Sequence, residues 1–423
     1  MADGIRPYTI SIPDSDLEDL RERLRRTRFP SELSDVGTTM GSPLEAVKRI
    51  ATYWAEKYDW RAAEASLNAL PQFKTSIQVT GFEALDIHFL HVRSKREDAV
   101  PLIFVHGWPG SFLEGTKILK PLTEPEDASQ PAFHVVVPSL PGYGFSQASS
   151  KAGFSIDQHA ETMHLLMLKL GYREYATQGG DWGYGITRAM GRRYAPEFVK
   201  AQHLNMSAFP TPSLLRNPII ALKTMFQAFV TGVPEKDKKG FERSMEFQKT
   251  GNGYFKIQST RPQTLGYALS DSPTGLLAWI YEKLVEWTDQ YPWTEDEVCT
   301  WISIYWFSTA TPRAAHQLYY ETEMNQDAVR CKKREQEGIP ASTWDQLLEY
   351  QNVKIGLSKF PRDIIVLPTF WSPAMGNVVF SNEHEGGGHF AAWERPDDLI
   401  KDLRTMFGPN GGANGAVKTA AKL

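Results

Sequence analysis

The hexapeptide QGGDWG, residues 178–183, decides how the rest of the sequence is interpreted. It has the outline of the G-x-S-x-G turn, in which a catalytic side chain is held between two glycines where a strand meets a helix. Here Asp181 occupies the serine position. Small neighbours are needed because the central residue adopts a strained backbone. Taken alone, the turn leaves two interpretations of Asp181 open: a nucleophile, or a carboxylate that caps the following helix.

The segments on either side of this turn alternate between strand-like and helix-like patterns. TSIQVT and LDIHFLHVRS alternate polar and apolar residues and predict an antiparallel pair around Gly81. Two continuous apolar runs, PLIFVHG and FHVVVPSL, predict strands buried on both faces. EYATQGG and KAQHLNM follow as further strands, each after a helical stretch, and two sheet-like segments come late in the chain, DIIVLPTFW and NVVFSNEH. Strands that alternate with helices indicate an open α/β sheet with its active groups at the carboxyl ends of the strands.

The chain of 423 residues suits one large α/β unit with an extension and an insertion better than three full domains. Residues 1–74 are mostly helical in pattern, and residues 75–206 carry the first part of the sheet. Residues 207–345 are rich in aromatic side chains and Met, and they predict a helical lid over the site. The sheet resumes in residues 346–410, and the Gly-rich residues 411–423 predict a flexible tail.

Composition narrows the class of partner and the compartment. A net charge of −4 gives no case for nucleic acid or an anionic membrane. We expect a soluble protein without a membrane anchor, because no segment has the apolar run of a signal peptide or a membrane span. With only Cys299 and Cys331, no disulfide framework is predicted, and a reducing compartment such as the cytoplasm is expected. The tripeptide Ala421-Lys422-Leu423 resembles the signal read by peroxisomal import receptors, which makes the peroxisome an alternative.

Three further motifs support a catalytic interpretation of the turn. FVHGWPGS, residues 104–111, ends an apolar strand in a His-Gly-x-Pro turn, which in hydrolases with this kind of sheet supplies a backbone N–H to an oxyanion hole. PSLPGYGFS, residues 138–146, follows the next strand with a Pro-Gly-x-Gly signature. EGGGHFAAWERP places His389 on a Gly-rich loop after the last predicted strand, where a general base belongs, although a lone histidine is more often structural.

The ordered set HGWP, PGYGFS, GGDWG and GGHF resembles epoxide hydrolases of the α/β-hydrolase fold, specifically the microsomal-type branch. IPDSDLEDLRERLRRTRFP and YWAEKYDWRAAEASLNALPQFKTSI resemble the N-terminal extension of that branch, which wraps the core. The resemblance covers nearly the whole chain, and its closest form is the soluble fungal enzymes. It implies an α/β fold with a mainly parallel sheet, a helical lid insertion and an N-terminal helical extension. It also implies no cofactor and no metal, and a homodimer formed through the lid.

The resemblance assigns a role to each motif residue. Asp181 matches the nucleophile, His389 the base, and Asp363 in the segment FPRD the acid that orients the base. Backbone N–H groups of Trp108 and Trp182 are expected to form the oxyanion hole. Three other carboxylates are rivals for the orienting acid by chemistry but not by motif position: Glu383, Glu385 and Asp397.

Two lid tyrosines that bind the epoxide oxygen are expected from the same resemblance. Tyr254, in NGYFKIQSTRPQT, stands at the matching place for the first. For the second, Tyr319 in TPRAAHQLYYETE fits best, with Tyr320 as an alternative. The chain departs from related sequences there, because it has two adjacent tyrosines and carries Gln317 where arginine is common.

The aspartate decides which reaction this site can run. Attack by a serine on the saturated carbon of an epoxide would leave a stable ether, whereas a carboxylate leaves an ester that His-activated water can hydrolyse to a vicinal diol. We therefore predict an epoxide hydrolase acting on a small apolar or aromatic epoxide, since an aromatic content of 12% hints at an apolar pocket. A dehalogenase with the same nucleophile and a non-catalytic ligand-binding protein of the same fold are the alternatives.

Overall fold

A nine-stranded sheet runs through the computed structural model, which describes residues 4–206 and 208–418. The strands are β1 (Arg6–Pro7), β2 (Gln72–Gln78), β3 (Ala84–Val92), β4 (Val100–Val105), β5 (Phe133–Pro138), β6 (Tyr175–Gly179), β7 (Val199–Leu204), β8 (Gln351–Lys359) and β9 (Gly376–Glu383). Their spatial order is β1-β2-β3-β5-β4-β6-β7-β8-β9. The first three strands and β5 pair antiparallel, and every pair from β5 to β9 is parallel.

The helices fall into three groups along the chain. The N-terminal group is α1 (Asp14–Arg25), α2 (Leu44–Glu56) and α3 (Trp60–Asn68). Between the strands of the sheet lie α4 (Thr116–Thr123), α5 (Ile156–Lys169) and α6 (Trp182–Tyr194). The lid, inserted between β7 and β8, contains α7 (Pro218–Phe226), α8 (Glu235–Glu246), α9 (Gly253–Thr260), α10 (Pro262–Asp271), α11 (Pro273–Glu286), α12 (Glu295–Trp306), α13 (Gln317–Met324), α14 (Ala328–Gln336) and α15 (Trp344–Leu348). Two helices follow β9, namely α16 (Ala391–Glu394) and α17 (Pro396–Phe407).

The core forms where continuous apolar strands meet these helices. All six residues of β5 and all five of β6 are buried, as expected for strands covered on both faces. Helix α5 packs against α6, and α4 packs against α17. Because the connections between parallel strands carry helices, the carboxyl ends of β4, β6 and β8 open at one edge of the sheet, beneath the lid.

The segment DIIVLPTFW was predicted to be sheet-like, and this prediction is wrong. The strand is β8, which precedes it and pairs with β7 and β9. Polar residues interrupt the apolar pattern of β8, and one of them, Lys354, extends its Nζ to the Gly412 carbonyl at 2.7 Å. Residues 363–371 instead form an irregular segment against α8, where the Val366 N–H donates to Ser244 Oγ at 2.8 Å.

The N-terminal extension contacts both the sheet and the lid. Strand β1 pairs with β2 at the edge of the sheet. Helix α2 packs on α11 and α12, where Trp54 Nε1 donates to Ser303 Oγ at 3.1 Å and the hydroxyls of Tyr58 and Thr300 are 2.9 Å apart. The extension therefore connects two parts of the fold that are distant in sequence.

The C-terminal residues are more ordered than their composition predicts. Ala413 and Val417 are buried, so the described part of residues 411–423 packs against the core instead of forming a flexible tail. The tripeptide Ala421-Lys422-Leu423 lies outside the described residues, and the peroxisomal signal stays a prediction. Across residues 4–206 and 208–418, none of the helices has the length and apolar character that crossing a membrane requires.

Candidate active site

Asp181 lies at a sharp turn between β6, which ends at Gly179, and α6, which begins at Trp182. Its backbone has φ 50° and ψ −129°, a conformation that costs a residue with a side chain about 1–3 kcal/mol. Asp181 occupies the N-cap position of α6, but its side chain makes no capping hydrogen bond. The capping interpretation is therefore wrong, and the strained backbone directs the carboxylate away from the helix.

Three glycines make this turn sterically feasible. A Cβ on Gly183 would lie 1.8 Å from the Val105 carbonyl oxygen, and one on Gly179 would lie 2.4 Å from the Gly183 oxygen. A Cβ on Gly107 would lie 2.1 Å from Asp181 Oδ1. The glycines of GGDWG and HGWP thus allow the carboxylate to approach the loop after β4 closely.

The two oxygens of the Asp181 carboxylate have different partners. The backbone N–H of Trp108 donates to Oδ1 at 2.7 Å, and Oδ2 lies 3.2 Å from His389 Nε2. Trp182, expected to supply a second N–H, begins α6, and within the described residues its N–H makes no hydrogen bond to Asp181. The Trp182 indole lines the cavity in front of the carboxylate.

His389 is held in a fixed orientation after β9. Its backbone N–H donates to the Trp287 carbonyl at 2.8 Å, and Nδ1 lies 2.6 Å from Asp363 Oδ1. Burial lowers the pKa of His389, but the nearby carboxylates Asp363 and Asp181 outweigh it and raise the pKa to about 10. The imidazole is therefore protonated between two carboxylates when the site is empty.

Asp363 is buried in the irregular segment after β8, and its main chain is anchored by the lid. Arg243 on α8 donates from Nε to the Asp363 carbonyl at 2.6 Å, and its guanidinium also donates to the Arg362 carbonyl. None of the three rival carboxylates contacts His389 among the described residues: Glu383 pairs with Lys236, while Glu385 and Asp397 are exposed.

A cavity of about 350 Å³ opens between Asp181 and the lid. Tyr254 on α9 and Tyr319 on α13 both line it, with ring centroids 6.2 Å apart. Tyr319 is 1% exposed, and its hydroxyl has no hydrogen-bond partner among the described residues. Burial, with the charge of Asp181 nearby, raises the pKa of both phenols well above 10, so both remain donors at neutral pH. Tyr320 instead lines a separate surface groove with Arg313.

Sequence reasoning missed one titratable residue beside the nucleophile. Glu114, in the short turn that follows HGWPGS, is 9% exposed and lines a small cavity together with Asp181 and His389. Burial and the charge of Asp181 raise its pKa, His389 lowers it, and the result is about 8. A charged residue in the otherwise apolar stretch SFLEG was the available signal.

Comparison with known proteins places this geometry in a family. Residues 5–115 match the family described as epoxide hydrolase N terminus, and residues 100–245 match the alpha/beta hydrolase fold. A putative epoxide hydrolase of Stigmatella aurantiaca is 36% identical over 96% of this chain and 85% of its own length. Epoxide hydrolase 1 of Sus scrofa is 35% identical over 96% of this chain and 89% of its own length.

A solved structure supports the same placement. The Aspergillus niger epoxide hydrolase superposes with a TM-score of 0.79 at 35% identity and covers 95% of both chains. The α/β-hydrolase fold with a mainly parallel sheet, predicted from the sequence, is thereby confirmed. The chain belongs to the epoxide hydrolase family of α/β-hydrolase-fold enzymes.

Proposed function

We propose that this enzyme opens its epoxide through a covalent ester on Asp181, which water then hydrolyses. The observation that carries the proposal is the position of the Asp181 carboxylate. It is held at a strained turn, with Trp108 N–H and His389 at its two oxygens, and it shares a cavity with two buried tyrosines. A carboxylate in this position needs no base to become a nucleophile.

In the first step, Asp181 Oδ2 attacks a ring carbon and the carbon–oxygen bond of the epoxide breaks, with its electron pair moving to the ring oxygen. The developing alkoxide is a poor leaving group unless it receives a hydrogen bond or a proton. Tyr254 and Tyr319 supply these donors, because both phenols stay protonated at neutral pH and line the same cavity as the nucleophile. Asp181 Oδ1 keeps its hydrogen bond from Trp108.

In the second step, His389 accepts a proton from the water that attacks Asp181 Cγ. Charge develops on Oδ1, which the Trp108 N–H stabilises and to which the N–H of Trp182 is proposed to contribute. Esterification neutralises Asp181 and removes one of the two charges that raise the pKa of His389. The imidazolium then gives its proton to the phenolate left by ring opening, and the neutral imidazole is available as the base. Asp363 keeps Nδ1 protonated and stabilises the imidazolium.

The cavity favours an apolar or aromatic epoxide. Its walls combine aromatic and aliphatic side chains from the lid and the sheet, among them Phe247, Phe255, Trp344, Leu348 and Ile364. Its polar lining includes Asp181 and the two tyrosines together with three lid residues, Gln248, Asn252 and Lys256. This pattern orients a single polar atom of an otherwise apolar ligand, as a monofunctional epoxide requires.

Single turnover in ¹⁸O-labelled water tests the ester. With enzyme in excess, the first diol should carry unlabelled oxygen from Asp181, and label should then appear in the peptide that contains Asp181. The Asp181→Asn variant should form no ester. Full solvent label in the first diol would exclude a covalent intermediate.

The two tyrosines distinguish an epoxide hydrolase from a dehalogenase with the same nucleophile. A halide leaves without a proton donor, whereas an alkoxide needs one. We expect the double variant Tyr254→Phe, Tyr319→Phe to lose ester formation with epoxides, and Tyr320→Phe to retain it. Unchanged epoxide turnover in the double variant would contradict the role of the phenols.

We further propose that the chain forms a homodimer through the lid. Exposed apolar side chains lie on α7 and on the residues next to it on both sides: Leu215, Ile219, Leu222, Phe226, Phe229 and Val230. Such a surface is unusual on a monomer. Sedimentation velocity should give a dimer for the wild type and for Lys238→Glu, and a monomer for Ile219→Glu, Phe229→Glu; a monomeric wild type would overturn the proposal.

A further inference from the structure

Two cavities meet at Asp181. The larger, of about 350 Å³, is lined by the lid tyrosines and takes the epoxide in the proposed reaction. In the smaller cavity, the centre of a water molecule can occupy a volume of about 10 Å³. Its lining includes Gly107, Gly110, Glu114 and His389. This volume suits one water. Among the described residues, Asp181 alone lines both cavities.

The turn after β4 makes room for two carboxyl groups. A Cβ on Gly107 would lie 2.1 Å from Asp181 Oδ1, and a Cβ on Gly110 would lie 1.5 Å from Glu114 Oε1. The Gly107 carbonyl is also within 3.2 Å of that second Cβ position. The loop that supplies the Trp108 N–H to Asp181 thus also seats the carboxyl of Glu114 directly against its backbone.

The position of Glu114 is fixed by its surroundings, but its carboxyl lacks a side-chain partner. Trp301 Nε1 donates to the Pro109 carbonyl at 2.5 Å, and the Tyr305 hydroxyl donates to the Gly110 carbonyl at 2.6 Å. Over residues 4–206 and 208–418, no other side chain hydrogen-bonds to the Glu114 carboxyl. The carboxyl has one backbone hydrogen bond, from Ser111, and a water in the small cavity would supply a further partner to this buried group.

We propose that the small cavity holds the hydrolytic water and that Glu114 binds and orients this water toward Asp181 Cγ. The inference rests on the proposed aspartyl ester. One O–H of the water donates to His389 Nε2 and the other to the Glu114 carboxyl, which leaves a lone pair of the water oxygen facing Cγ. The epoxide and the water therefore reach Asp181 from separate compartments, and the lid cavity need not admit water.

The step balances with these residues alone. The water oxygen bonds to Asp181 Cγ, His389 Nε2 takes one water proton, and the π electron pair of the Cγ–Oδ1 bond moves to Oδ1. The Cγ–Oδ2 bond then breaks, and Oδ2 leaves in the diol with the proton from His389. The water oxygen stays in the Asp181 carboxyl, which passes the second water proton to His389 and so restores the resting imidazolium between two carboxylates.

Charge changes during turnover favour the same role. In the empty site, burial and the Asp181 charge raise the pKa of Glu114, whereas the imidazolium of His389 lowers it. Esterification removes the Asp181 charge, and proton transfer from water creates the imidazolium again. Both changes favour the carboxylate form of Glu114 at the moment when it accepts a hydrogen bond from the attacking water.

Rapid-quench kinetics of Glu114→Met test the proposal. Methionine fills the space against Gly110 but cannot bind the water. We expect the rate of ester formation to stay within about twofold of wild type and the rate of ester hydrolysis to fall roughly tenfold to a hundredfold. The ester should then accumulate, as intact mass spectrometry would detect. Glu114→Gln, which keeps a hydrogen-bonding carbonyl, should restore most of the hydrolysis rate.

Glu161→Met is the matched control, because Glu161 is also 9% exposed but accepts its hydrogen bonds from Thr80, away from the site. In Glu161→Met, the rates of ester formation and ester hydrolysis should both be unchanged. Normal hydrolysis in Glu114→Met, or an equal loss in both steps, would overturn the role of Glu114. If Glu114→Met does not fold, Glu114→Asp tests the proposal instead. Its shorter side chain holds the carboxyl farther from the water, so ester hydrolysis should slow while ester formation does not. A wild-type enzyme that forms no ester would instead contradict the proposed function.

Discussion

At the scale of single residues, the site depends on His389 lying between two carboxylates. Asp363 contacts Nδ1 at 2.6 Å and Asp181 contacts Nε2 at 3.2 Å. Asp363 keeps its charge throughout the proposed cycle, whereas Asp181 loses its charge when the ester forms. The two carboxylates therefore have separable effects, one on the orientation of the base and the other on the timing of its protonation.

Asp363→Asn should slow the second step far more than the first. The amide favours the wrong tautomer of His389 and cannot stabilise the imidazolium, and the comparable change in a serine protease costs about 10⁴ in turnover. We expect turnover to fall by roughly 10³–10⁴ and the ester to accumulate. Asp397→Asn, which alters an exposed rival carboxylate, should behave as wild type. The burst amplitude in quenched-flow experiments measures how much ester accumulates in each variant.

His389 should also make stability depend on pH. Its folded pKa of about 10 lies above the ordinary value of about 6.5, so the folded protein keeps a proton that the unfolded chain releases. This contribution is complete below pH 6.5 and is lost as the pH rises through 10. Urea unfolding measures the free energy of unfolding of the wild type and of His389→Gln between pH 7 and 10. The difference between the two proteins should shift against the wild type by at most about 1.4 kcal/mol per pH unit. Parallel profiles for the two proteins would contradict this pKa.

At the scale of elements, the contact between α6 and β4 decides whether the nucleophile can be placed at all. Helix α6 starts so close to β4 that the Val105 carbonyl occupies the space of a side chain at position 183. Neither backbone can withdraw, because β4 is hydrogen-bonded to β5 on one side and to β6 on the other. Gly183, the last glycine of GGDWG, is therefore required for the packing of two elements.

Gly183→Ala should destabilise the fold by roughly 3 kcal/mol, since the new methyl group would meet backbone atoms and not a mobile side chain. Gly253→Ala in α9 is the matched control, because a Cβ there meets nothing within 4 Å. Alanine is the better helix former, so this control should be neutral or stabilising by up to about 1 kcal/mol. Chemical denaturation measures both, and equal stability of the two variants would refute the steric argument.

At the scale of the whole molecule, the N-terminal extension stabilises the lid from outside. Helix α2 packs on α1, α11 and α12, and Tyr53 adds a hydrogen bond from its hydroxyl to Asp296 at 2.7 Å. These contacts lie far from Asp181 in the sequence, yet α11 and α12 belong to the same insertion as α9 and α13, whose tyrosines line the cavity at Asp181. The extension should therefore affect activity without contributing a side chain to the site.

Ile50→Ala tests this coupling, because Ile50 is buried in α2. Loss of its side chain should cost about 2–5 kcal/mol and make the lid more sensitive to proteases. Thr52→Ala, an exposed change in the same helix, should stay within about 0.5 kcal/mol of wild type. Thermal unfolding and limited proteolysis provide the readouts; a destabilised variant whose lid resists proteases as the wild type does would argue that the two parts are independent.

Local patterns predicted much of this architecture because strands buried on both faces must be continuously apolar. The runs that became β4 and β5 were identified for that reason, and those that became β6 and β7 from the alternation of strands with helices. Strand β8 was missed because polar residues such as Lys354 interrupt it and reach solvent or carbonyl groups past the sheet. The apolar residues of 363–371 were misassigned because packing against α8 needs the same residue types as a strand does.

The sequence by itself determined the turn at Asp181, the order of the motifs and the Gly-rich loop that carries His389, since each depends on glycines and polar residues at fixed spacing. The tertiary structure alone decided which of two adjacent tyrosines faces the nucleophile, because neighbours on a helix point about 100° apart and the direction of the helix axis is set by packing. It also brought Glu114 beside Asp181 and His389. Such proximity comes from how strands and lid close over one another, which no local pattern encodes.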